Sequence, residues 1–185
     1  MRGQVFTDRA ATVDTLQEVL PHIRSKSRAR QKLYRWLMFN VMVGNGDNHL
    51  KNISFMVTGE GVEIAPCYDL LSTAVYSTRA LVGDRATWPA VQMALPLPEA
   101  PTFGEVTRAA MLDAGLRLGL RGDVATRELE TMRRKIMAEA AALYEVIEAE
   151  NAALADQAAA GVAGDMRVLR TIMHLVIAEM VERLA

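Results

Sequence analysis

Cysteine occurs once in the 185 residues, at Cys67, so an intramolecular disulfide is excluded and no Cys/His cluster has the spacing of a zinc site. Aromatic residues are scarce, at 5% of a chain that is 51% hydrophobic. The apolar mass is therefore Ala, Leu, Val and Met, and Ala, Leu and Met favour helix over strand. Charge of one sign is also missing: the formal net charge is −1, which gives no long-range pull on nucleic acid or anionic lipid, so either partner would need a local patch. No stretch approaches the roughly 18 uninterrupted apolar residues of a membrane span. The opening Met1-Arg2-Gly3-Gln4-Val5-Phe6-Thr7-Asp8 has no apolar run of signal-peptide length. These features are those of a cytoplasmic protein with one domain over residues 1–185, long enough to bury roughly 70% of the surface of its unfolded chain.

What is present is helical periodicity with one β-prone interruption. Thr7 or Asp8 can cap a first helix carrying Val13, Leu16, Val19, Leu20 and Ile23 on one face, with Pro21 set to kink or end it. A second helix is expected from about Arg28 to Val43, stopping at Gly44. Ile53–Val57 and Val62–Ala65, joined by Thr58-Gly59-Glu60-Gly61, read as a two-stranded hairpin. Segment 77–101, with Pro89, Pro96, Pro98 and Pro101, reads as a long irregular loop of functional or partner-facing character. Thr102 and Glu105 form a capping-box pattern for a helix to about Leu118. The longest helix is expected from Val124 to about Ala160, broken by Gly161 and Gly164, with Asp165 capping a last helix to Leu184. The expected fold class is mainly α with one small β-hairpin.

The chemistry is concentrated in Asn45-Gly46-Asp47-Asn48-His49-Leu50-Lys51-Asn52 and, beyond the hairpin, Cys67-Tyr68-Asp69-Leu70. A hairpin returns the chain to where it left, so Asp47, Asn52 and Asp69 are expected to converge. Hard oxygen donors of this kind suit Mg²⁺. Phosphoryl transfer asks for metal ions that bridge the phosphates and a carboxylate that orients the attacking hydroxyl. In that reading Asp47 is the base, Asn52 and Asp69 hold metal, and His49 reaches a phosphate or metal-bound water. Asn-Gly-Asp-Asn is also an ordinary turn sequence, and Asp-x-x-x-x-Asn alone is weak. An EF-hand is excluded, because its Asp/Asn alternation and distal Glu are missing.

The run from Phe39 to Phe55, followed by Ala65-Pro66-Cys67-Tyr68-Asp69-Leu70, resembles the signature of HipA-type serine/threonine kinases, the toxins of bacterial toxin–antitoxin modules. The resemblance is strongest over residues 33–76 and continues to about residue 140. It implies the helical C-terminal lobe of a protein-kinase-like fold, with Mg²⁺ and ATP as cofactors. Asp47 is then the catalytic base, Asn52 and Asp69 are metal ligands, and His49 and Tyr68 lie against the nucleotide. It also implies a protein Ser/Thr as acceptor, the family's best-known substrate being a glutamyl-tRNA synthetase, and a small DNA-binding antitoxin as partner. Nothing before Gln31 supplies a Gly-rich loop after a strand or a strand-borne lysine, so a separate N-terminal lobe is expected to complete the kinase.

Two competing readings remain open on the sequence. One is a non-catalytic remnant that acts as a protein-interaction module in a toxin–antitoxin-type system. The other is a helical nucleic-acid binder using Arg24, Lys26, Arg28, Arg30, Lys32 and Arg35, a run that reads more simply as a solvated helix face. Trp88 is either an exposed anchor for a partner or a lid over the core.

Overall fold

The computed structural model describes residues 11–153 and 155–185, and side chains outside 153–161. Helix α1 (Val13–Val19) starts at Thr12, whose backbone N–H donates to Thr15 Oγ1 at 3.2 Å. The expected caps Thr7 and Asp8 lie outside the described residues. Pro21 falls in a 3-10 turn, Leu20–His22, that ends α1.

Helix α2 (Lys26–Met42) is the centre of the molecule. Its Leu33, Tyr34, Leu37, Met38, Val41 and Met42 are all buried. They share one core with Leu16 of α1, Leu20 of the turn after it, and Met111, Ala114, Leu129 and Met180 from later helices. The Tyr34 hydroxyl donates to the Met111 carbonyl at 3.2 Å, and burial pushes its pKa up.

The expected hairpin is formed by β1 (Phe55–Thr58) and β2 (Gly61–Ile64), antiparallel with Phe55 opposite Ile64. Its return strand is tied to the start of α2, because Arg24 N–H donates to the Val62 carbonyl at 3.0 Å and Lys32 Nζ donates to the Ile64 carbonyl at 2.8 Å.

Segment 77–101 is more regular than its prolines suggest. It holds the short helix α3 (Arg79–Val82), a 3-10 turn over Gly83–Arg85, and a second hairpin of β3 (Gln92–Leu97) and β4 (Ala100–Thr102). Met93, Leu95 and Leu97 alternate into the core along β3. A two-stranded ribbon has only edges, and edge strands tolerate proline. Trp88 serves the fold: it packs on Phe103 at 5.4 Å between ring centroids, and its indole N–H donates to Glu179 Oε2 at 2.8 Å.

The Thr102–Glu105 capping box is made, with Thr102 N–H donating to Glu105 Oε2 at 3.0 Å, but it opens only a 3-10 turn. Helix α4 (Arg108–Arg117) has its own cap in Thr107, which accepts from Ala110 N–H at 3.1 Å. Helix α5 (Gly122–Ala153) is followed by α6 (Ala155–Thr171), a π-helical segment (Ile172–Ile177) and α7 (Ala178–Arg183). The expected break at Gly161 and Gly164 is not there, and Asp165 lies inside α6. A helical glycine costs only about 1 kcal/mol against alanine. Antiparallel docking of α6 on α5 outweighs it, as Arg170 Nε donates to Tyr144 Oη at 2.6 Å and Asn151 Nδ2 reaches Met166 Sδ at 3.3 Å. Among the described residues no helix is long and apolar enough to cross a membrane.

Candidate functional site

The site begins where α2 stops. Gly44 takes φ +69°, and two bonds close the helix end: Gly44 N–H to the Val41 carbonyl at 3.1 Å and Asn45 N–H to the Asn40 carbonyl at 2.8 Å. This is a Schellman closure, which needs a left-handed residue. The loop is then strapped on both sides. Ala74 N–H donates to the Gly44 carbonyl at 2.9 Å, Gly46 N–H donates to Thr73 Oγ1 at 2.8 Å, and Ala94 N–H donates to the Gly46 carbonyl at 3.0 Å.

Side-chain amides bring the three expected residues together. Asn45, only 2% exposed, donates through Nδ2 to Asn40 Oδ1 at 2.8 Å and to the Asp69 carbonyl at 3.1 Å. Its Oδ1 accepts from Asp47 N–H at 3.2 Å. Asn52 is buried and donates from Nδ2 to the Asp47 carbonyl at 3.2 Å. Two amides thus make the links: that of Asn45 ties the Asp47 backbone to the Asp69 backbone, and that of Asn52 ties Asn52 to the Asp47 backbone. The Asp47 side chain is 69% exposed and its carboxylate lies 3.9 Å from His49 Nε2. Asp69 is exposed at φ +55°, a left-handed conformation uncommon outside glycine.

Tyr68 is anchored through its hydroxyl end. Its hydroxyl donates to the Lys51 carbonyl at 2.6 Å and lies 2.9 Å from Ser54 Oγ, clamping the base of the first hairpin and leaving the ring exposed. Lys51 is exposed. Around the loop, Asn48 Oδ1, His49 Nδ1 and Ser72 Oγ are buried without a hydrogen-bond partner among the described residues. Buried polar atoms without partners are costly and mark places where a further donor or acceptor is accommodated. Also among the described residues, no group of three or more His, Cys, Asp or Glu comes together.

Sequence reasoning missed Asn40 and Thr73 and took Asn45 for a turn former. The available signal was Asn40 itself, a polar residue on the otherwise apolar Phe39–Val43 stretch of α2. Three of the six residues of the basic run are occupied within the molecule: Arg24 pairs with Glu60, Lys32 with the Ile64 carbonyl, and Arg35 with Glu128 at 2.7 Å.

A helical lobe with a polar loop slung between a central helix and a small hairpin is the fold of a HipA-type, kinase-like protein. It aligns at a TM-score of 0.63 with a chain of the solved Shewanella oneidensis complex of the toxin–antitoxin system HipA, HipB and operator DNA, covering 98% of this chain and 41% of that one at 22% identity. The chain belongs to the HipA-like C-terminal domain family, which it matches over residues 3–161. It is 43% identical over 53 residues to the serine/threonine-protein kinase toxin HipA of Shewanella oneidensis, a stretch that is 29% of this chain and 12% of that protein. It is 49% identical over 45 residues to the putative kinase Y4mE of Sinorhizobium fredii, 24% of this chain and 11% of that one.

Proposed function

We propose that this domain is the catalytic-loop half of a HipA-type kinase that transfers a phosphoryl group from Mg²⁺–ATP to a protein Ser/Thr once a nucleotide-covering half is docked on it. The observation that carries the reading is the amide-linked trio of Asp47, Asn52 and Asp69.

The donor set fits the metal. Mg²⁺ is usually held by one or two carboxylates, with waters and substrate phosphates completing its shell, rather than by an all-protein cage. Asp69 offers an exposed carboxylate, and Asn52 uses its Nδ2 on the loop and keeps Oδ1 for a cation. Bound Mg²⁺–ATP supplies the transferable phosphoryl group and neutralises the charge that develops on it. Asp47 is held by its backbone, N–H to Asn45 and carbonyl to Asn52, so its carboxylate is left to orient the acceptor hydroxyl and take its proton. His49 stands beside that carboxylate to meet a phosphate, and Tyr68 offers a ring face to the nucleotide because its hydroxyl is engaged. Met56, Val57, Tyr68, Leu70, Leu71 and Tyr76 are exposed apolar side chains flanking the site, the kind of surface the nucleotide-covering half or an antitoxin-like partner would cover.

Calorimetry with Mg²⁺–ATP, with and without a candidate N-terminal half, tests the reading. Asp69→Ala should abolish nucleotide binding, while Asp47→Ala should keep it and stop phosphoryl transfer. Equal affinity in wild type and Asp69→Ala would refute the assignment. A partner that docks without any nucleotide binding would favour the interaction-module alternative.

A further inference from the structure

We infer that Asn45 is a positioning residue that fixes the Asp47 and Asp69 carboxylates relative to each other, and that Asn40 determines which way its amide faces. The inference rests on the phosphoryl-transfer reading above and adds a residue outside its ligand set.

The polarity of the chain is set from α2. The Trp36 carbonyl can only accept, and it lies 2.8 Å from Asn40 Nδ2, so Asn40 must turn its NH₂ toward the helix and its Oδ1 toward the loop. Asn40 Oδ1 then demands a donor, which is Asn45 Nδ2 at 2.8 Å. The same NH₂ also meets a second pure acceptor, the Asp69 carbonyl at 3.1 Å, while Asn45 Oδ1 meets a pure donor, Asp47 N–H at 3.2 Å. A flipped Asn45 amide would set oxygen against oxygen twice and N–H against NH₂ once. Both asparagines are buried, so water offers no escape from that mismatch. One amide orientation is therefore enforced, and it joins the loop carrying Asp47 to the turn carrying Asp69, which lies 24 residues beyond Asn45 in sequence.

Asp69 is where the consequence falls. Its φ of +55° is unfavourable for a residue with a Cβ, and Asn45 holds the carbonyl of that same residue. Without the bond, the Asp69 backbone is free to relax toward negative φ, which redirects its carboxylate. A residue that only filled the buried loop would affect stability; one that positions ligands affects metal affinity in the folded protein as well.

Mn²⁺ titration of the 185-residue chain, followed by water-proton relaxation, separates the two roles, with amide hydrogen exchange at Asp47 as a readout independent of metal. Asn45→Ala should weaken Mn²⁺ binding by about 10- to 100-fold, the usual effect of removing an outer-shell partner, and should speed exchange at the Asp47 amide. Asn45→Asp should do at least as much, because its carboxylate faces two acceptors. Val106→Ala, a truncation of a buried core side chain, should lower thermal stability and leave Mn²⁺ affinity unchanged. A folded Asn45→Ala with wild-type Mn²⁺ affinity and unchanged Asp47 exchange overturns the inference while leaving the site reading intact. If Asn45→Ala does not fold, Asn40→Leu decides: wild-type affinity there overturns the inference, weakened affinity supports it. If wild type binds Mn²⁺ no better than Asp69→Ala, the site reading itself falls and this inference falls with it.

Discussion

Gly44 shows how closely one residue's geometry is coupled to the loop. Its φ of +69° is required by the Schellman closure, and a Cβ there would stand 2.6 Å from Val176 Cγ1 and 3.1 Å from the Ala74 Cβ. The two penalties are separate. Left-handed backbone costs a non-glycine residue roughly 1–2 kcal/mol, and forcing a methyl into a filled space costs about 1–3 kcal/mol. Gly44→Ala should therefore lower unfolding stability by about 2–5 kcal/mol in a urea titration, with Val176→Ala recovering part of the loss in the double variant. Gly59→Ala is the contrast, since nothing lies within 4 Å of a Cβ built there, and it should be near neutral. A Gly44→Ala protein that unfolds at the wild-type urea midpoint would show that the π-helical segment does not press on the loop. At this scale the meeting of the segments that carry Asp47, Asn52 and Asp69 was legible, because a hairpin returns the chain to where it left. Asn45 was not, since its role depends on facing Asp69 across 24 residues, which no local pattern encodes.

Among elements, the junction of α4 with α5 is the clearest electrostatic tie. Glu130 of α5 is gripped by Arg108, the first residue of α4, and by Arg133 at 3.0 Å, and Arg108 also donates to the Leu184 carbonyl at 3.2 Å. Hydrogen bonds from Arg108 and then Arg133 hold the Glu130 carboxyl below its ordinary value of 4.5. A carboxyl whose folded pKa is lowered contributes stability above its unfolded pKa, and the contribution is lost as pH falls through the folded value. Glu130→Gln should thus be less stable than wild type at pH 7, and the two should converge as pH falls from the ordinary Glu value through the lowered folded one. Thermal melts across that range check it; a gap that stays constant with pH would place the effect of the substitution outside this ion cluster. The elements themselves were legible in proportion to how locally they are determined. α2, the first hairpin and the Thr102 capping box follow from periodicity and turn chemistry within a few residues. The β3–β4 ribbon did not, because Pro96, Pro98 and Pro101 masked the alternation of Met93, Leu95 and Leu97. The continuity of α6 through Gly161 and Gly164 is a tertiary effect, set by docking on α5, and local propensity points the other way.

For the molecule as a whole, the segment after residue 171 is a buttress rather than an appendage. The family match ends at residue 161, yet Met173, Val176, Ile177, Met180 and Leu184 are buried in or against the core. Polar ties fix the same segment across the fold: Glu179 accepts from Trp88 at 2.8 Å and from Arg183 Nη2 at 2.8 Å, while Arg183 Nη1 donates to the Gly104 carbonyl at 2.7 Å. Val176 closes on Gly44, so the segment also backs the loop that carries Asp47. Burying one large apolar side chain is worth about 1.5–3 kcal/mol, and a domain's whole stability is about 5–15 kcal/mol. Five such side chains are comparable to the entire margin. A chain ending at Thr171 should therefore lose its cooperative thermal transition and bind a hydrophobic dye, keeping helical circular dichroism from α2 and α5. Under the site reading it should also lose any Mn²⁺ affinity, because Gly44 no longer has Val176 behind it. A truncated chain that melts as sharply as the full one would mean that residues 172–185 are dispensable, and that the loop is held without them by α2, the Thr73, Ala74 and Ala94 straps and the Asn45–Asp69 bond.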